Sequence, residues 1–145
     1  WSALRYCAML QENPALLYLL YSALLYWAML LFASLAHARG WTLPGMKIAM
    51  GNRDNLPPEP LWVGRAHRAA RNMGENLLIF TVVVVVAVLA KAPRDSVTTG
   101  AQVFFFARLF YFAVYIAGIP YLRTVVWAVA LGGIGIIAGA VLSVS

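Results

Sequence analysis

Long apolar runs separated by short polar stretches dominate this chain. Pro14 to Ala36 and Val125 to Val144 hold no charged residue, and Val97 to Ile119 is apolar apart from Gln102 and Arg108. A bilayer-crossing helix needs ~20 mainly apolar residues, so each run predicts a span. A fourth run, Leu77 to Ala90, is too short by itself. Counting back to spanning length draws Arg71, Asn72, Glu75 and Asn76 into the membrane. Ionisable groups at that depth face a bundle interior or a wet cavity, and mark a site by default. Val82 to Val86 reads as a strand on propensity, but a lone strand in lipid leaves its backbone unsatisfied, so helix is predicted. The pattern therefore predicts an all-α integral membrane four-helix bundle. It is one transmembrane domain over residues 1–145, with helices near 13–38, 62–91, 97–118 and 121–144.

The polar stretches fill in the connections. Trp1 to Glu12 is a short mixed segment predicted to lie in the membrane interface. Asn13-Pro14 opens the first helix, with proline at an early helical position. That helix is read as a retained span, because its apolar core is too long for a cleavable signal and no small-residue cleavage pattern follows. Residues 40–64 hold Gly51-Asn-Arg-Asp-Asn55 and Pro57-Pro-Glu-Pro60, a turn-rich connector. Ala92-Pro-Arg-Asp-Ser96 reads as a short turn, and Pro120 breaks the third helix from the fourth.

Composition agrees: 63% of residues are hydrophobic and 11% charged, a membrane balance. The net charge of +6 reads mostly as topology. Arg39, Lys47, Arg53, Arg65, Arg68, Arg71 and Arg123 fall at one face, against Arg5, Lys91 and Arg94 at the other. The first face, with loop 39–64 and residues 118–123, is predicted to be cytoplasmic. No nucleic-acid module accompanies the positive charge, so no nucleic-acid partner is expected. Cys7 is the single cysteine, which excludes an internal disulfide and a multi-cysteine metal site.

Arg65, Arg68, Asn72 and Glu75 stand three, four and three residues apart, one face of a helix. Arg108, Tyr111 and Tyr115 repeat the spacing on the third helix. The two faces can meet at one depth, giving a pocket suited to a small zwitterionic or polyanionic ligand. A purely structural role for these residues, with Glu75 paired to Arg71 or Arg108 to fix helix packing, is equally open on spacing alone. Glu75 is expected within hydrogen-bond reach of one of those arginines, because an unpaired carboxylate at that depth costs several kcal/mol. His37 and His67 offer a haem pair only in principle, having no visible orienting partner, and no metal ligand set is assigned. Ala128, Gly132, Gly135, Gly139 and Ser143 form a small-residue stripe on the fourth helix, fit for close packing within the chain or between copies.

Arg65-x-x-Arg68-Ala-x-x-Asn72-x-x-Glu75 before an apolar run resembles the signature of the MAPEG family, the membrane-associated proteins in eicosanoid and glutathione metabolism. Ala107-Arg108-Leu-x-Tyr111-x-x-x-Tyr115, then Pro120-x-x-Arg123-Thr124, is similar to that family's third helix and the start of its fourth. The Gly51-Asn-Arg-Asp loop resembles bacterial members, which points to a bacterial inner membrane. The resemblance implies a homotrimer with glutathione, as co-substrate, bound between subunits. It implies that Arg68, Asn72 and Glu75 bind the tripeptide, with Arg71 and Tyr111 nearby and Tyr115 in contact. Arg123 falls where the family's thiol-activating arginine sits, and Thr124 where some members have serine. Arg39 matches a basic residue ending the first helix, and Arg108 a more structural arginine. The spacing from Tyr115 to Pro120 and Arg123 needs a one-residue gap against some members. The implied activity is glutathione transferase or peroxidase chemistry on a lipophilic small molecule. The alternative is a non-enzymatic small subunit that packs against a larger membrane complex or lipids and keeps a vestigial site.

Overall fold

The computed structural model describes residues 12–144. Residues 1–11, with Arg5, Cys7 and most of the expected interfacial segment, lie outside it. The described residues form five helices and no strand: α1 (Pro14–Ala38), α2 (Leu43–Met50), α3 (Leu61–Leu89), α4 (Arg94–Ala117) and α5 (Pro120–Leu142). Four of them, α1, α3, α4 and α5, are long and apolar enough to cross a bilayer. The valine run lies inside α3, as the backbone argument requires.

Local chemistry accounts for the ends. Pro14, Pro44 and Pro120 stand in the first turns of α1, α2 and α5, where a missing N–H is harmless. The chain leaves α1 through Arg39 in the left-handed region (φ 55°), and Gly40 N–H closes the turn on Leu35 O at 2.8 Å. The short helix α2 departs from the expected turn-rich connector. Pro44 and Gly45 read as breakers, yet Pro44 sits where proline is tolerated. The Thr42 hydroxyl accepts from Gly45 N–H at 3.1 Å and caps the helix. Helix α4 begins three residues before its expected start, since Pro93 forms its N-cap and Asp95 sits in the first turn, where a carboxylate is favourable.

Helices α3 and α4 occupy the middle of the bundle. Each packs on α1 and on α5, while α1 and α5 do not meet; the most extensive contact is α4 with α5. The interior is rich in small side chains, among them Ala66, Ala69, Ala70, Ala101 and Ala130, around Phe80 stacked on Phe104 at 3.9 Å. Large apolar groups such as Trp27, Leu78, Ile79, Phe106 and Val129 point outward. This inversion of the soluble pattern suits a lipid surround, where small residues let backbones approach. Some polar side chains within the spans find partners: Ser22 and Thr81 donate to the carbonyls of Tyr18 and Leu77 one turn back, and Gln102 donates across to the Tyr18 hydroxyl at 3.1 Å.

The small-residue stripe of α5 faces away from the chain. A Cβ added at Gly132, Gly135 or Gly139 meets nothing within 4 Å. Contact with α4 runs instead through Gly133 and Ile137, which lie against Gly100, on a side of the helix where Val126, Ala130 and Ala140 are also buried. The intrachain use of the stripe is thus corrected: the buried positions Val126, Ala130, Gly133 and Ile137 each stand two residues before a stripe position, roughly 200° around the helix.

Candidate functional site

The polar faces of α3 and α4 meet the start of α5 at one end of the bundle. Two adjoining cavities open there. One, of about 250 Å³, is lined by Asn72, Tyr111, Tyr115, Arg123, Thr124 and Trp127. The other, of about 100 Å³, is lined by Arg65, Arg68, Tyr115, Gly118, Ile119, Pro120 and Arg123. Tyr115 and Arg123 belong to both. The combined lining holds three arginines and no carboxylate, so its field favours an anion. Arg123 stands in the first turn of α5, where the helix N-terminus adds positive potential.

Several of these side chains are braced. The Arg123 guanidinium lies 4.7 Å from the centre of the Tyr115 ring, and Tyr115 packs edge-on against Tyr111 at 5.4 Å. Arg65 donates to Ile116 O at 3.3 Å, engaging the carbonyl end of α4. Gly118 permits that contact: it adopts φ 78°, and a Cβ there would lie 2.6 Å from Arg65 Cζ. The turn at Gly118 and the restart of the helix at Pro120 bring Arg123 onto Tyr115.

Arg108 is fully buried and sets the depth of the site. Its Nη1 donates to Asn72 Oδ1 at 2.8 Å, and its guanidinium lies 5.4 Å from the centres of both Phe104 and Tyr111. Its Nε and Nη2 have no hydrogen-bond partner among the described residues. Asn72 is held in turn, its carbonyl accepting from Asn76 Nδ2 at 2.8 Å. Asn72 therefore faces both the guanidinium and the larger cavity, a double role that spacing did not disclose.

The expected ion pair is not made. Glu75 is exposed and forms no ion pair with Arg71 or Arg108 within the described chain, and Arg71 is exposed as well. The physical reason is angular: Arg108 enters the bundle where Asn72, one turn before Glu75, meets it. Arg71 and Glu75 stay on the outer side of α3, and Arg39 is exposed at the end of α1. None of these three lines the cavities. Trp127, Gly118 and Ile119 are lining residues that sequence reasoning missed, though the place of Trp127 four residues after Arg123 was a usable signal.

A larger cavity, about 360 Å³, lies at the opposite end between the start of α1, the end of α3 and the start of α4. It lacks the aromatic and guanidinium layering seen around Arg123.

The MAPEG family model matches residues 14–143. The chain belongs to the MAPEG family. No curated protein and no solved structure matches it. MAPEG membership and four spanning-length apolar helices make this an integral membrane protein in contact with lipid. The matched region takes in every residue discussed at the site, from Arg39 to Trp127. The family is generally associated with glutathione and typically oligomeric.

Proposed function

We propose that this MAPEG protein binds glutathione at the Arg123 end of the bundle and transfers its sulfur to a lipophilic electrophile, or uses it to reduce a lipophilic hydroperoxide. The observation carrying the proposal is the pair of joined cavities around Tyr115 and Arg123, with three guanidiniums and no carboxylate in their walls. Glutathione carries two carboxylates, one ammonium and a thiol, and becomes more anionic when the thiol ionises. Arg68 and Asn72 hold its carboxylate and peptide groups, Tyr111 and Tyr115 line its backbone, and Thr124 lies beside Arg123 at the sulfur.

The exposed Arg71 and Glu75 fit a site closed from outside the chain. A homotrimer, with glutathione between subunits, would cover that face of α3 and give Glu75 the ligand's ammonium as partner. The outward small-residue stripe of α5 is likewise free for a neighbouring helix. The charge asymmetry supports a cytoplasmic side for loop 39–64 and residues 118–123, and the Gly51-Asn-Arg-Asp loop favours a bacterial inner membrane.

The chemistry follows from the thiolate. Arg123 stabilises the ionised sulfur over the thiol, and the proton leaves through the wet cavity. In transfer, the sulfur lone pair forms a bond to the electrophilic carbon as its leaving group departs. In peroxide reduction, sulfur attacks the terminal oxygen and the O–O bond breaks, giving the alcohol and a glutathione sulfenic acid; a second glutathione thiol then displaces the sulfur-bound oxygen as water and forms the disulfide.

Calorimetric titration of the detergent-solubilised protein with glutathione, paired with turnover of a panel of lipophilic electrophiles and hydroperoxides, tests this reading. Saturable binding is expected, weakened at least ~10-fold by Arg68→Ala through loss of a charge-assisted contact. Absence of both binding and turnover would leave a non-enzymatic subunit with a vestigial site as the surviving account.

A further inference from the structure

A second cluster lies where α1, the connector and α3 meet, outside the two cavities. His37 is in the last turn of α1, Glu59 in the Pro-rich stretch before α3, and His67 in the second turn of α3. Glu59 Oε1 is 3.9 Å from His37 Nδ1 and 3.5 Å from His67 Nε2. All three donor atoms lie within 4.8 Å of one another.

The hydrogen-bonding pattern distinguishes this from a chance surface cluster. His37 Nε2 is 3.1 Å from Pro57 O. A carbonyl only accepts, so Nε2 carries the hydrogen and donates it, and in the neutral ring Nδ1 presents its lone pair toward Glu59. Fixing one ring nitrogen through a backbone carbonyl is how metal-ligating histidines are oriented. His67 Nε2 is shielded from solvent and has no hydrogen-bond partner among the described residues. A carboxylate oxygen and the Nδ1 lone pair thus converge with an unpartnered imidazole nitrogen, and a cation among them resolves the arrangement. The histidine rings touch edge-to-face, with centroids 5.7 Å apart. That leaves no room for a haem plane, so the haem pairing conceived from the sequence is set aside.

We propose that His37, Glu59 and His67 bind a divalent transition-metal ion of the zinc class, which clasps the connector to the ends of α1 and α3. Two imidazoles and a carboxylate form a borderline donor set suited to such an ion, with a fourth position left for water. Bond lengths of about 2.0–2.2 Å put tetrahedral donors roughly 3.4 Å apart, so the cluster closes by at most ~1.4 Å through side-chain torsions. The metal joins residues distant in sequence and stabilises their packing. This inference does not rest on glutathione binding.

The test uses the full chain without a histidine tag, stripped with chelator and exchanged into clean buffer. Zn²⁺ titration by calorimetry and Co²⁺ titration by visible absorption are expected to show one ion per chain, with a rise in the thermal midpoint on Zn²⁺ addition. His67→Ala and the near-isosteric Glu59→Gln should each weaken Zn²⁺ binding by at least ~100-fold and lose the midpoint shift, since even outer-shell changes cost 10–100-fold. Asp54→Asn, a charge change in the same connector, should leave both readouts as in wild type. Wild type that binds no stoichiometric Zn²⁺, or His67→Ala that binds it as wild type does, would overturn the proposal and leave a proton-shared His–Glu contact.

Discussion

Arg123→Ala is expected to abolish the ultraviolet absorbance of bound thiolate near neutral pH and to lower turnover by ~100-fold or more, the scale at which a preorganised charge acts on a developing anion. Arg123 is the guanidinium common to both cavities, and it is braced by the Tyr115 ring 4.7 Å away. Its position in the first turn of α5 adds the helix N-terminus to its own charge. Glutathione should still bind, because Arg68, Asn72 and the tyrosines are the groups proposed to hold the remainder of the tripeptide. Arg123→Lys should restore part of the thiolate signal, as the charge returns without the planar group that stacks on Tyr115. Equal thiolate absorbance in Arg123→Ala and wild type would remove Arg123 from the chemistry.

Gly133→Leu is expected to prevent stable assembly of α4 with α5, whereas Gly135→Leu should leave the fold of the single chain intact. A Cβ at Gly133 would stand 2.7 Å from Gly100 O and 2.8 Å from Phe104 N, both backbone atoms that no rotamer change can move. Gly100 faces the same constraint from Gly133 O at 2.6 Å. Ordinary overpacking costs ~1–3 kcal/mol, and a clash with the partner backbone should reach the upper end or beyond. Gly135 meets nothing within 4 Å. Thermal unfolding and gel filtration in one detergent compare the two: a collapsed or aggregated Gly133→Leu beside a well-folded Gly135→Leu is the expected pair. Similar midpoints for both would contradict the assignment of Gly133 to the α4 contact.

The spanning segments were legible in the sequence because lipid leaves the backbone few options: a long uncharged run such as Pro14 to Ala36 has to be helix. The polar insertion before Leu77 was legible for the same reason, since spanning length forces Asn72 toward the bundle. Other features depend on rotation about the helix axis, which spacing leaves open. Arg65, Arg68, Asn72 and Glu75 share one broad face, yet the line of contact with α4 falls on Asn72 and leaves Glu75 outside. On α5 the difference is larger: Gly133, two residues and roughly 200° from Gly135, takes the α4 contact and leaves the Gly135–Gly139 repeat on the opposite side. Helix α2 was hidden because Pro44 and Gly45 punctuate its start, and the Thr42 cap that overrides them is a weaker signal. The meeting of His37, Glu59 and His67 depends on a connector whose path no periodicity describes. Arg68, Asn72, Tyr111, Tyr115, Arg123 and Thr124, unlike Trp127, were singled out because the order of motifs, and not only their spacing, resembled the MAPEG pattern now matched over residues 14–143.

Native mass spectrometry from detergent, with and without glutathione, tests the central claim most directly, because one spectrum reports both chain number and bound tripeptide. The account predicts three chains carrying glutathione adducts, with the adducts lost in Arg68→Ala while the trimer persists. A monomer, or a trimer that takes up no glutathione at saturating concentration, would contradict it.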